Sequence, residues 1–472
     1  MSSGPKLGEK KKFALPHIYI ILFCIVLVCA IMTWIIPAGE FDRVKGAGDQ
    51  MVAVAGTWHK VSASPVGFLE FFESFFKGMV DAGQIIFFVF ISFASTTFVI
   101  KSGAFDGLVV ALMKVFKGKS SVIIIPVFMI LFGVGSSTVG MFEEWLPFIP
   151  IFAAIFIGLG FDAVVGLATV ALGAGIGYAG ACMNPFTIGV AQGIAHIPYM
   201  SGMGYRILCH AVMLTVGAIL VMRYALKVQA DPTKSLVYKD DFSALTSGDI
   251  TKNTEGREFG IKQKLILIDL LAAIIVIVWG VRTLGWYFSQ ISAVFLVMGI
   301  VAAIIMRENL NDIGNGFQKG FQDACLAAMM IGIARATLIV LQSGNIVDTI
   351  VYGLSLPLSH MPAWICAIAM LLMQTMLNFF IPSGSGQAAV SMPIMAPMSD
   401  ILGVTRDTAV LAFQFGDGLS NIVWPTAFGA IMPGLAGVKL DKWWKFIFPI
   451  FFVLVGVQAI LIVIAVFTGF GA

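Results

Sequence analysis

Two stretches of this chain, Ala163 to Tyr205 and Thr349 to Ser399, contain no Lys, Arg, Asp or Glu, yet each is interrupted by Gly, Pro, Ser and Asn where a simple membrane helix would carry Leu. The first is broken at Cys182-Met183-Asn184-Pro185-Phe186-Thr187 and the second at Pro382-Ser383-Gly384-Ser385-Gly386-Gln387. Hydrocarbon cannot satisfy a bare amide or carbonyl, so irregular backbone at that depth survives only when buried in protein or lining a cavity. The interruptions therefore point to a binding site.

The apolar background extends over the whole chain: 59% of residues are hydrophobic and 12% charged, against roughly 25% charged in a soluble domain. At roughly 20 apolar residues per crossing, there is room for about ten spans and none for a separate soluble domain. The net charge of +3 comes from Lys and Arg outside the apolar runs, so it reports on topology and predicts no nucleic-acid partner. The six cysteines stand singly in hydrophobic segments without metal-ligand spacing, which predicts neither a disulfide nor a zinc site. A Lys-rich segment, 1–12, precedes an apolar run too long for a signal-peptide core, and that run reads as a retained first helix.

Hydropathy places crossings near 13–36, 79–101, 163–197, 205–226, 264–283, 285–306, 319–341, 408–438 and 444–470. Two further apolar segments, 120–160 and 361–402, carry small polar residues at mid-length, Gly135-Ser136-Ser137-Thr138 and Ser383-Gly384-Ser385-Gly386. Each reads as a re-entrant helical hairpin whose tip stops inside the protein. With the N-terminus in the cytoplasm, 21 of the 29 Lys and Arg residues fall on the inner side, as the positive-inside rule requires. The expected fold is an all-α polytopic protein of the inner (plasma) membrane. It comprises a cytoplasmic tail (1–12), a first membrane repeat (13–226), a solvated cytoplasmic linker (227–263), a connecting helix (264–283) and a second, inverted repeat (284–472).

The repeat rests on a recurring phrase. Phe75-Phe76-Lys77-Gly78-Met79-Val80-Asp81-Ala82 returns as Phe317-Gln318-Lys319-Gly320-Phe321-Gln322-Asp323-Ala324, and Ser102-Gly103 returns as Ser343-Gly344. The order of features also repeats: span, amphipathic stretch (Ala104 to Phe116, Asn345 to Leu358), hairpin, broken span, final span. One extra crossing between the halves inverts the second, an arrangement found in secondary transporters, whose sites lie where discontinuous helices meet.

Four segments would converge about such an axis: the tips Ser136-Ser137-Thr138 and Ser383-Gly384-Ser385-Gly386, and the breaks Asn184-Pro185-Phe186-Thr187 and Ser420-Asn421-Ile422-Val423-Trp424-Pro425-Thr426. Pro exposes a carbonyl and Gly permits conformations closed to other residues, so each break frees oriented backbone groups. Half-helix N-termini suit a carboxylate and C-termini a cation. Glu143 and Glu144, just past the first tip, and Asp417, near the second break, are carboxylates in apolar zones and functional candidates on that ground. They suit a sodium ion, a proton or a substrate's cationic group. Arg335 is placed to snorkel outward in preference to serving as a substrate counter-ion. His196, His210 and His360 read as packing residues.

From the first helix ending in Trp34-Ile35-Ile36-Pro37-Ala38-Gly39 to the second break and Trp443-Trp444, the chain resembles the YfcC-like and C4-dicarboxylate anaerobic carrier family, part of the ion transporter superfamily. The resemblance implies a homodimer whose mobile transport domains move as elevators against a fixed scaffold. It makes Ser136, Ser137, Thr138, Ser383, Gly384 and Ser385 at the tips, and Asn184, Thr187, Asn421 and Thr426 at the breaks, candidate substrate ligands. The Ser-Asn-Thr tip signature of the superfamily's dicarboxylate carriers is absent: Ser-Ser-Thr and Ser-Gly-Ser-Gly stand there instead. Three acidic candidates with no clear basic partner favour a substrate carrying a positive group. The expected function is secondary transport of a small carboxylate-bearing metabolite, an amino acid of the basic type ahead of a C4-dicarboxylate coupled to sodium or protons. No cofactor beyond a coupling ion is expected. A channel would need a continuous polar lining, and an enzyme a nucleophile with its base; the sequence offers neither.

Overall fold

The computed structural model describes residues 16–45, 51–54, 56–104, 118–138, 140–243, 245, 260–286, 288–356 and 362–471. The expected tail 1–12, nearly all of the amphipathic stretch 104–116, linker residues 246–259 and His360 lie outside them.

The chain is predominantly helical, and the helices follow the apolar runs. α1 (Ile18–Ile35) leads into four short strands, β1 (Gly39–Glu40), β2 (Arg43–Lys45), β3 (Met51–Ala53) and β4 (His59–Lys60), paired antiparallel as β1 with β4 and β2 with β3. These small ribbons lie between helices of a chain that otherwise has the expected helical fold. The crossing expected at 79–101 is two helices, α2 (Phe68–Asp81) and α3 (Gly83–Lys101), parted at Ala82. The first hairpin follows as α4 (Ile124–Thr138) and α5 (Phe148–Gly158), then α6 (Ala163–Ala179), a π-helical turn at Pro185–Gly189, α7 (Val190–Ile194) and α8 (Met203–Ala230). After α9 (Ile261–Leu284) and α10 (Phe288–Met306), α11 (Leu310–Ser343) runs unbroken for 34 residues through the second copy of the repeated phrase. The amphipathic α12 (Val347–Ser355), the second hairpin α13 (Ala363–Phe380) and α14 (Gly384–Ile401), the broken pair α15 (Arg406–Ser420) and α16 (Ile431–Leu435), and α17 (Leu440–Phe467) complete the chain. Among the described residues, seven helical segments are long and apolar enough to cross a membrane.

The packing repeats as the sequence does. α4 packs on α6 as α13 packs on α15, α5 on α6 as α14 on α15, and α6 on α8 as α15 on α17. Across the halves, α1 lies on α11 as α10 lies on α3, while α6 meets its counterpart α15 directly. Two groups of helices result: α1–α3 with α9–α11, and the hairpins with the broken helices and α8 and α17. At the centre of the second group, every residue of α6 except Tyr178 and every residue of α15 except Arg406 is buried. The Gly- and Ala-rich sequence of α6 makes this possible, because small residues let helix backbones approach closely where lipid gives no hydrophobic drive between helices.

The linker is not wholly solvated. Asp162, which caps α6 by accepting from the Val165 amide at 2.9 Å, also accepts from Tyr224 at 2.7 Å and from Ser235 at 2.6 Å. Lys442 reaches Asp240 at 2.6 Å. A buried carboxylate retains lone pairs after capping a helix, and Ser235 at the linker's start supplies a donor, so residues 231–243 dock against both halves.

Candidate functional site

The two hairpins and two breaks meet around a cavity of about 410 Å³ between the helix groups. Of the candidates, Glu143, Glu144, Ser383, Gly384, Ser385, Asn421 and Thr426 line it. Asp417 and Thr187 lie immediately behind this lining, both fully buried.

Gly384 shows how tightly the parts are brought together. A Cβ built there would lie 2.4 Å from Thr187 Cγ2, 3.2 Å from Asp417 Oδ2 and 3.4 Å from the Tyr178 hydroxyl. The amino end of α14, the first break and the last turn of α15 thus share one point. Ser383 caps α14, its Oγ accepting from Gly386 N at 3.4 Å, so the first turn of an 18-residue helix opens at the cavity with backbone donors suited to an anion.

The first tip differs from expectation. Ser136, Ser137 and Thr138 form the last turn of α4, and the chain reverses further on, through Gly140, which has φ +84°, and the short turn Glu143–Trp145. Hydroxyls can bond back to helix carbonyls, so a Ser-Ser-Thr run need not end a helix: Thr138 Oγ1 donates to Val134 O at 2.7 Å. Ser137 donates to Gly180 O at 3.1 Å, and its carbonyl accepts from the Cys182 and Met183 amides, both at 3.1 Å. Ser136 accepts from Trp145 Nε1 at 3.0 Å. Ser137 thus fastens the end of α4 to the first break, Ser136 and Thr138 bond within the hairpin itself, and none of the three lines the cavity. Glu143 and Glu144 occupy the tip in their place, Glu144 Oε2 accepting from Phe142 N at 2.9 Å.

The breaks satisfy most of their own backbone. Asn184 Oδ1 accepts from Phe186 N at 2.9 Å and Thr187 N at 3.3 Å, capping the turn after Pro185. In the second break, Ile422 O and Val423 O accept from the indoles of Trp443 and Trp444, at 3.0 and 3.1 Å. Trp424 donates to Thr375 O and Thr426 to Phe379 O, both at 2.7 Å, tying the break to the second hairpin. Asn378 joins these elements: its amide donates to Asp417 O at 3.0 Å, Ser420 Oγ at 2.7 Å and Asn421 Oδ1 at 3.1 Å. Sequence reasoning missed Asn378, an Asn in an apolar helix four residues before Pro382. Among the described residues, the buried side-chain atoms of these elements without a protein partner include both carboxylate oxygens of Asp417, Thr187 Oγ1, Asn184 Nδ2 and Asn378 Oδ1, with Gln387 Oε1 and Gln414 Oε1. Buried polar atoms are ordinarily hydrogen-bonded, so an unpartnered carboxylate beside an unpartnered hydroxyl is a place for a cation or a proton.

Arg335 corrects the expectation of outward snorkelling. It lines the cavity from α11 and forms an ion pair with Asp81 at the end of α2. That partner lies in the segment equivalent to its own in the other half, which is why neither segment alone revealed the pair. The acidic groups at the cavity, Asp81, Glu143 and Glu144, outnumber this one cation among the described lining residues.

A family model described as C4-dicarboxylate anaerobic carrier matches residues 15–467. The chain is 30% identical over 485 aligned residues, covering 94% of it and 95% of the relative, to the Escherichia coli protein named "Putative basic amino acid antiporter YfcC". It is 29% identical over 505 residues, covering 97% of it and 98% of the relative, to a Haemophilus influenzae protein. Among solved structures it is similar to Neisseria gonorrhoeae MtrF, reported within a class of antimetabolite efflux pumps, at 18% identity with 96% of each chain covered and a TM-score of 0.46.

Proposed function

The chain belongs to the C4-dicarboxylate anaerobic carrier family and is a multi-pass membrane transporter, and from that premise we propose that it carries a basic amino acid by exchange. The observation that carries the substrate class is the acid excess of the cavity, where Glu143 and Glu144 face the space opened by the second hairpin tip. A dianion placed there would meet like charge, whereas a cationic side chain is attracted. The amino end of α14, with Ser383 and Ser385, supplies donors for the substrate carboxylate. The name of the Escherichia coli relative agrees with this choice, while the family's description favours a C4-dicarboxylate.

Asn421 and Thr426 position the substrate from the second break, and Asn184 with Thr187 shapes the first. Asp417, with Thr187 and Asn378 beside it, takes a sodium ion or a proton behind the substrate. The hairpins and broken helices move together as the transport domain of a homodimer, sliding in elevator fashion against α1–α3, α10 and α11, with the N-terminus in the cytoplasm of the inner membrane. Counterflow in proteoliposomes decides between substrates. Radiolabelled arginine should exchange with internal arginine or ornithine and not with malate or succinate; exchange of the dicarboxylates alone would refute the assignment.

A further inference from the structure

The wall of the cavity opposite the hairpin tips carries a charge pair that neither the tips nor the breaks explain. Arg335 Nε donates to Asp81 Oδ2, and side-chain exposures of 29% and 41% leave both groups open to the cavity they line. An ion pair so exposed contributes little to stability, whereas a guanidinium in a membrane helix is costly to insert and marks a functional site by default.

The two halves sharpen the contrast. Asp81 and Asp323 hold the same place in the repeated phrase. Asp323 is held within its own helix by Lys319 at 2.7 Å, but in the first half Lys77 pairs with Glu73 at 3.0 Å, and Asp81 bonds to the other half of the chain. At the same offset from its Asp, where the second half has Arg335, the first half has Phe93. The pair is therefore no product of the repeat. It was placed in one half only, at the wall of the cavity.

We infer that Asp81 and Arg335 read the head group of the substrate and select zwitterions, an inference that rests on the assignment of the chain as an amino-acid carrier. The internal pair is exchanged for two intermolecular ones: the substrate's carboxylate takes the Arg335 guanidinium, whose planar fork matches a carboxylate, and its α-ammonium takes Asp81. The amino end of α14 lines the same cavity and holds the carboxylate from the other side. A basic side chain then extends toward Glu143 and Glu144. A dicarboxylate satisfies Arg335 but sets its second charge among Asp81, Glu143 and Glu144. A diamine satisfies Asp81 and leaves Arg335 without a partner.

The test compares binding of arginine, of agmatine, which is arginine without its carboxylate, and of succinate to purified protein in nanodiscs by calorimetry. Wild type should prefer arginine over agmatine by about 10–100-fold, the equivalent of one charge-assisted hydrogen-bonded contact. Arg335→Gln should lower that preference by weakening arginine alone, leaving only the part that the amino end of α14 supplies, while Asp81→Asn should weaken arginine and agmatine alike and strengthen succinate. Should Arg335→Gln fail to fold, Arg335→Lys keeps the charge, loses the fork, and should lower the same ratio. An unchanged arginine-to-agmatine ratio in the folded Arg335 variant overturns the inference while leaving amino-acid transport standing. Binding of succinate and of no amino acid by wild type overturns both.

Discussion

Replacing Glu143 or Glu144 by Gln isolates the charge thought to attract the substrate's side chain. Gln matches Glu in size, and at position 144 its carbonyl oxygen can still accept the Phe142 amide that Glu144 Oε2 holds at 2.9 Å, so the first tip should keep its shape. At a separation of about 5 Å and an effective dielectric of about 20, a unit charge pair is worth ~3 kcal/mol. Water and salt in the cavity reduce the realised part to about 1–2 kcal/mol, or roughly 5–30-fold in affinity. The fair comparison is arginine against citrulline, which is nearly isosteric and carries no side-chain charge. In counterflow from proteoliposomes, each variant should raise the half-saturation concentration of arginine by that factor and leave citrulline nearly unmoved. If the two ligands weaken together, the Gln has disturbed the tip and the charge argument fails. If neither moves, the carboxylates do not face the side chain, and the acid excess has another purpose.

Asp417→Asn should stop transport and remove its dependence on sodium or pH, yet raise stability by about 1–3 kcal/mol, because a fully buried carboxylate with no partner is costly to fold; thermal unfolding of the empty protein checks the second half. Gly384→Ala sets helix propensity, a gain of up to ~1 kcal/mol, against overpacking of about 1–3 kcal/mol, since the methyl would press on Thr187 Cγ2 at 2.4 Å; we expect a modest loss of stability and a large loss of substrate binding, and full binding would contradict the convergence at that point. Asn184→Ala should destabilise by about 1 kcal/mol through loss of the cap on Phe186 and Thr187, measured by thermal unfolding. Trp443→Phe leaves Ile422 O unsatisfied and should cost about 1–3 kcal/mol by thermal unfolding, with substrate selectivity unchanged.

The sequence carried the outline of the fold because the signals that set it are local and long. Charge-free runs mark the membrane, and Pro and Gly inside them mark backbone that must be satisfied by protein. The breaks at Cys182–Thr187 and Ser420–Thr426 and the second tip at Pro382–Gly386 fall where those residues stand. The first tip was misplaced because Ser and Thr are ambiguous in helices: Ser136 to Thr138 look like a tip, but their hydroxyls bond back to the helix or to its neighbours. Gly140 and Pro147 were the better markers, one for a left-handed turn and the other for the start of α5. The strand pairs between α1 and α2 and the docking of the linker on Asp162 depend on contacts distant in sequence, and no periodicity announces such contacts.

The candidate site was legible where one segment supplies it and illegible where two halves share it. Ser383, Gly384, Ser385, Asn421 and Thr426 were readable because each belongs to a break that needs explaining on its own. Asn378 and Arg335 lie within continuous helices, and their roles exist only across the fold: Asn378 binds the last turn of α15, and Arg335 meets Asp81 from the other repeat. A duplicated chain makes this division general. Duplication gives each half the same breaks, so symmetric features speak for the mechanism common to both halves, while residues that break the symmetry are free to specify what is carried. Phe93 at the place equivalent to Arg335, and Lys77 paired with Glu73 so that Asp81 is left for Arg335, are such departures. Giving the second half the first half's residue, Arg335→Phe, should therefore leave the fold's repeated packing intact, because Phe93 already packs at the equivalent place on α3, but abolish arginine binding, because the cavity then keeps its acids and loses its cation.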